Sequence, residues 1–210
     1  MKRTLVATAL GAAAVTAGAT AASSTLTLAA NPLTVAYGKT TVLTGQLTPA
    51  QANQNISINA QACPATTFKK TATVKTASTG AFTATVTPAA MTTYKASLHN
   101  SDSPTVVVKV KPMVTIKRVK RGSFTATVTA GLDLKGKALL FQRYAKLRKR
   151  WVQVKKVTLT SSTPGPAKPT VISSASFNAK VARLARVRLM LSTAQAAPCY
   201  VTTTSNVVRN

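Results

Sequence analysis

The sequence predicts an all-β protein, and three observations carry that prediction. The chain is rich in Thr and Val and holds only two acidic residues; β-branched side chains fit a pleated strand better than a helix because of crowding at Cβ. Apolar residues recur at every second position in short runs, the period of a strand with one face buried and one in water. Turn-forming Gly, Pro, Asn and Ser break these runs at intervals.

The first segment falls outside this pattern. Met1-Lys2-Arg3 precedes an uncharged run of small apolar residues from Thr4 to Ala22, and Ala19-Thr20-Ala21 supplies an A-x-A site. These are the three parts of a signal peptide over residues 1–22, with cleavage expected after Ala21 or Ala22. An uncleaved membrane anchor is the alternative, since the run is long enough to span a bilayer. Its Ala, Thr and Gly content gives less transfer energy than Leu or Ile would. A secreted or cell-surface protein is expected.

The strands follow in order. Ile56 and Ile58 share a face opposite Ser57 and Asn59; Phe82, Ala84 and Val86 alternate with Thr83, Thr85 and Thr87. Tyr94, Ala96 and Leu98 repeat the device, as do Val106, Val108 and Val110. Beyond Lys111-Pro112 the arrangement begins again. Val114 and Ile116 echo Leu33 and Val35, and Phe124, Ala126 and Val128 form the next strand. Leu139 and Phe141 follow a turn at Lys135-Gly136-Lys137, and Trp151 opens a strand as Phe68 does. Phe177, Ala179 and Val181 are matched to Phe82, Ala84 and Val86, with a loop insertion at Pro164 to Pro169 lengthening the interval. Lys180 to Ser192 has a spacing that also suits a helix, but a closing strand over Val187 to Leu191 is preferred. The expected organisation is two tandem β-sandwich modules of roughly seven strands each, residues 26–110 and 112–210, closely joined.

Several landmarks carry a resemblance. They are Leu33-Thr-Val-Ala-Tyr-Gly38, Gly80-Ala-Phe-Thr-Ala-Thr-Val86, Thr92-Thr-Tyr94 and Ser103-Pro-Thr-Val-Val-Val108, with Gly136 to Arg143, Trp151 to Val157 and Ser205 to Val208 in the second half. The chain resembles the tandem immunoglobulin-like repeats of secreted proteins from high-GC Gram-positive bacteria. The resemblance implies a fold, an exported location and a spacer or binding role, with no catalytic residue to transfer. Ala175-Ser176 stands where the pattern has glycine before the aromatic residue.

Residue types exclude most chemistry. Paired-carboxylate catalysis needs two acids at one substrate, and Asp102 and Asp133 fall in different modules beside turn residues. His99 is the only histidine, so neither a nucleophile–base pair nor a metal-ligand set can be assembled around it. No glycine-rich phosphate loop is present. No enzyme activity, metal site or cofactor is expected. Cys63 and Cys199 are the only cysteines. Outside the cell a bond between them is the leading reading; intermolecular pairing and free thiols are the alternatives.

Charge is the functional lead. Twenty-eight Lys and Arg against two acids give a net charge of +26, and the basic residues concentrate after Lys111. Lys117, Arg118, Lys120 and Arg121 form one cluster, and Arg143, Lys146, Arg148, Lys149 and Arg150 a second. Lys155, Lys156, Lys180, Arg183, Arg186 and Arg188 add to them. A hairpin loop between Tyr144 and Arg150 would project its bases together as an anion-binding patch. Tyr144 is expected to be available for stacking on a base or sugar, and Trp151 to pack in the core. Solubility alone does not require so large a positive charge. The expected partner is an anionic envelope polymer or an acidic lipid surface. Nucleic acid would bind only non-specifically through its phosphates, since no recognition motif accompanies the charge. A solely architectural secreted protein is the other reading.

Overall fold

A computed structural model describes residues 24–210. The expected leader, residues 1–22, lies outside the described residues. Regular structure is almost entirely strand, with one helical turn.

Before Pro112 the strands are β1 (Thr25–Leu26), β2 (Ala29–Asn31), β3 (Thr34–Ala36), β4 (Thr41–Thr48), β5 (Asn55–Ala62), β6 (Lys69–Lys75), β7 (Ala81–Val86), β8 (Thr92–Leu98), β9 (Ser101–Asp102) and β10 (Val106–Lys111). After it come β11 (Met113–Lys120), β12 (Ser123–Ala130), β13 (Ala138–Ala145), β14 (Arg150–Thr158), β15 (Ser161–Pro164), β16 (Val171–Asn178), β17 (Arg186–Leu191), the helical turn α1 (Thr193–Ala196), β18 (Thr203–Thr204) and β19 (Val208–Arg209).

They build four sheets. The first has order β1-β4-β2 with β7 also on β4; the second runs β3-β10-β8-β5-β6 with β9 on β8. The third runs β11-β12-β16-β15, and the fourth β14-β13-β17-β18 with β19 also on β17. Among the described residues no strand pairing crosses Pro112. All pairings are antiparallel except β3 with β10.

The alternation read from the sequence sets which faces are buried. Leu43, Leu47 and Phe82 of the first sheet and Ile56, Ile58, Ala96, Val108 and Val110 of the second are almost wholly removed from water. In the third and fourth sheets, Phe124 of β12, Phe177 of β16 and Phe141 of β13 meet with ring centroids 5.1 to 5.6 Å apart. Two of these rings come from one sheet and one from the other, so the sheets pack face to face through an aromatic cluster. The strand over Val187 to Leu191 is present within β17, and no helix forms between Lys180 and Ser192.

Two expectations drawn from the sequence need correction. The strand containing Phe177 ends at Asn178, so Ala179 and Val181 lie beyond it. Register explains the error: Leu43 pairs with Ala84, whereas Phe124 pairs with Phe177. Phe82 instead pairs with Gly45, so the two aromatic residues face different partners. Trp151 is also not a core residue. It lies opposite Tyr144 on the edge strand β14, three positions along from buried Phe141 and so on the outward face. Both rings are half-buried. The Pro164 to Pro169 segment is the turn joining β15 to β16, a strand pair the sequence did not suggest.

The two halves meet around Cys63 and Cys199, which form a disulfide with Cα atoms 5.3 Å apart. The Met91 amide donates to the Cys199 carbonyl at 2.8 Å, and the Val201 amide to that of Val110 at 3.1 Å. Tyr200 is 3% exposed; its hydroxyl accepts from the Gly131 amide at 3.0 Å and donates to the Ala89 carbonyl at 3.2 Å. The Tyr37 hydroxyl also reaches Thr170 Oγ1 at 2.9 Å. Gly131 permits the close approach: a Cβ there would stand 2.6 Å from the Ala89 carbonyl oxygen.

Candidate anion-binding surface

Strand direction gives the second half two distinct ends. β12 leaves the β11–β12 turn at Ser123 and finishes at Ala130, beside Gly131 and the junction with the first half. β13 runs back from Ala138 to Ala145. Eight-residue strands span about 27 Å, so the loops at the other end lie that far from the junction. Eight bases gather at this distal end.

Three loops form it. The β11–β12 turn supplies Lys120 and Arg121, the segment between β16 and β17 supplies Lys180 and Arg183, and the β13–β14 hairpin supplies Lys146, Arg148, Lys149 and Arg150. Tyr144 pairs with Trp151 and Ala145 with Arg150, leaving Lys146 to Lys149 as a four-residue loop. Lys149 closes it in the left-handed region at φ 46°, its amide donating to the Lys146 carbonyl. Asn210 clasps the other two loops together. Its side-chain oxygen accepts from the Gly122 amide at 2.7 Å, its side-chain amide donates to the Val181 carbonyl at 2.7 Å, and its backbone bonds Leu184 and Ala185.

Two adjoining grooves run across this end and share Ala182. One includes Lys120, Arg121 and Lys180. The other, of about 740 Å³, includes Arg143, Lys146, Arg148 and Arg183, with Leu147 and Leu184. Neither acidic side chain lines them. Asp102 lies in the first half, where it is ion-paired with Lys95 and accepts from Ser97; the Lys95 hydrogen bond, then that of Ser97, holds its carboxyl below the usual range. Asp133 follows β12 at the junction end, and the Lys135 amide hydrogen bond is the main cause lowering its pKa. His99 occupies the β8–β9 turn at φ 49°. Among the described residues no three His, Cys, Asp or Glu side chains cluster as metal ligands would.

The distal end continues onto the outer face of the fourth sheet. Arg188 lies with its guanidinium carbon 4.2 Å from the Trp151 ring centroid, while its Nε donates to Gln142 Oε1 at 2.9 Å. Arg186 lies 5.1 Å from the Tyr144 centroid, and the two aromatic rings meet edge to face at 5.4 Å. Tyr144 therefore already contacts Arg186 and Trp151, which leaves less of its ring to stack on a ligand than the sequence suggested. Stacking and the Gln142 bond fix the Arg188 plane, so little freedom remains to be lost when its terminal amino groups meet an anion. Partial burial lowers the Arg188 pKa, but a guanidinium keeps its charge in proteins.

The first half holds a neutralised counterpart. Asn59 pairs with Lys95 as Gln142 pairs with Arg188, and Lys95 Nζ lies 5.0 Å from the Phe68 centroid. The difference is the carboxylate: Lys95 has Asp102, whereas Arg188 has only the neutral Gln142.

The remaining sequence-derived bases stand apart from the grooves. Lys117 and Arg118 are exposed on the edge strand β11, and Lys155 and Lys156 on β14, with Lys155 Nζ donating to the Asn178 carbonyl at 3.1 Å. The sequence missed Gln142, Leu147, Leu184 and Asn210. No sequence spacing joins Gln142 to Arg188 or Asn210 to Gly122, because strand order brings them together. No protein-family model matches the chain, and no curated protein matches it in sequence.

Proposed function

We propose that this is a secreted, non-enzymatic binding protein of two tandem immunoglobulin-like modules, residues 26–110 and 112–210, which docks on an anionic cell-envelope surface through its second module. The corresponding strand orders β6-β5-β8-β10 and β14-β13-β17-β18, and the repeated aromatic–cation pair, support the duplicated architecture. One observation carries the docking reading. Three loops remote in sequence place eight bases at the end away from the first half, with neither of the chain's two acidic side chains among them. Such a surface concentrates positive potential where a planar or extended polyanion can reach it. The first half, with Lys95 paired to Asp102, acts as a stiff companion held by the disulfide.

Sedimentation of the protein with purified envelopes, from about 50 to about 500 mM salt, tests this reading. Binding that declines steadily with salt is the expected result. A protein that remains in solution at the low-salt end contradicts docking and leaves an architectural role.

A further inference from the structure

The distal end carries a feature that charge does not explain. Leu147 is fully exposed at the tip of the β13–β14 hairpin, and Leu184 is 61% exposed at the tip of the β16–β17 loop. Both border the same groove, beside Lys146, Arg148 and Arg183. Leu184 also has φ 61°, a conformation a leucine adopts at a cost. A lone exposed leucine is ordinary. Two at the tips of neighbouring loops, ringed by cations, form an apolar point with a basic collar.

We propose that this end is a membrane-contacting tip: Leu147 and Leu184 enter the headgroup–acyl boundary of a bilayer rich in acidic phospholipids, while the surrounding bases bind its phosphates. The inference rests on the docking reading and narrows its surface to lipid. A hydrated polyanion would satisfy the bases but offers nothing to cover the leucines, whereas the boundary region accepts apolar side chains beneath a layer of negative charge. A second copy of this chain would bring the same strongly positive charge and be repelled. Contact at the loop tips requires no change in the sheets, since β13, β14 and β17 hold both loops from behind.

Vesicle sedimentation tests the proposal, using phosphatidylcholine alone and its mixture with phosphatidylglycerol. A resin carrying inorganic polyphosphate serves as a lipid-free polyanion. Wild type and the double variant Leu147→Ser/Leu184→Ser share the same N-terminus, so their difference isolates the tip. Trp151 is the only tryptophan and stands at the base of the hairpin, so its quenching by brominated lipid reads the approach of that loop alone. The expected result is binding to the acidic vesicles and not to phosphatidylcholine. The double variant should weaken vesicle binding tenfold or more, remove the quenching and retain wild-type binding to polyphosphate. Unchanged vesicle binding by the double variant would overturn leucine entry. Polyphosphate binding without vesicle binding in wild type would overturn the lipid assignment while leaving polyanion docking intact. Failure to bind either would remove both readings. Unchanged near-ultraviolet circular dichroism confirms that the double variant is folded.

Discussion

Tyr200 shows how one side chain couples the two halves. Its hydroxyl satisfies the buried Gly131 amide and reaches the Ala89 carbonyl. Burial pushes its pKa up to about 12, against the smaller opposing effect of hydrogen bonds from Leu132 and Gly131. The unfolded chain releases the phenolic proton near pH 10 while the folded chain holds it. The stability associated with Tyr200 is thus fully present below pH 10 and is lost as pH rises toward 12. Burial raises the pKa of Tyr94 as well, so ultraviolet titration should show both phenols ionising above the ordinary tyrosine range. Tyr200→Phe should remove the later component and cost about 1–3 kcal/mol in denaturant unfolding at neutral pH, because it leaves the Gly131 amide buried without its partner. Asp102 has the opposite sign. Its lowered pKa gives a contribution present above the ordinary carboxylate range and lost as pH falls through the folded value. The side chain is half exposed, so Asp102→Asn should change stability by less than about 1 kcal/mol.

Strands and hairpins show what the sequence could and could not disclose. Alternation identified Ile56, Ile58, Tyr94, Ala96, Val108, Phe124, Val128 and Phe141 as inward-facing, and all are buried, because period two is a local property of a strand. The hairpin between Tyr144 and Arg150 was legible for the same reason, with polar residues between two alternating runs. Register was not legible. The pairings Leu43 with Ala84 and Phe124 with Phe177 are set by contacts across the sheet, and a two-residue offset leaves alternation unchanged. The outward placement of Trp151 is also a register effect, accompanied by the irregularity between Phe141 and Gln142 in the β13–β14 pairing. Short strands such as β9 and β18 have too few residues for a period to show. The candidate surface was half readable: its bases are a matter of composition, but their convergence at one end follows from strand direction. Inward and outward positions on β13 and its hairpin should respond very differently to substitution. Phe141→Ala removes a ring from the three-phenylalanine cluster and should cost about 3–5 kcal/mol. Leu147→Ser touches an exposed tip and should stay within about 0.5 kcal/mol of wild type. Thermal unfolding of the two variants checks this contrast.

The whole molecule combines a charge that opposes compaction with a covalent tie that favours it. A net +26 repels itself, and the Cys63–Cys199 bond joins positions 136 residues apart. In the chain-entropy account, closing a loop of that length stabilises by up to about 5 kcal/mol. Cys63→Ser/Cys199→Ser should lower the unfolding midpoint most at low salt, where repulsion is least screened. The same tie keeps the two halves in register, so a force on the distal end passes into the first half through the junction at Tyr200, Cys199 and Val201. No helix among the described residues is long and apolar enough to cross a membrane.

Docking of the proposed kind requires that charge act through its placement at the distal end. It is tested most directly by measuring envelope binding against salt for wild type and two variants that each remove three positive charges. One is Arg148→Ser/Lys149→Ser/Arg150→Ser at the hairpin, and the other is Lys69→Ser/Lys70→Ser/Lys75→Ser on the exposed strand β6. The hairpin variant should bind at least tenfold more weakly with a shallower salt dependence, while the β6 variant should stay close to wild type. Equal losses from the two variants would contradict it, since binding would then follow net charge irrespective of position.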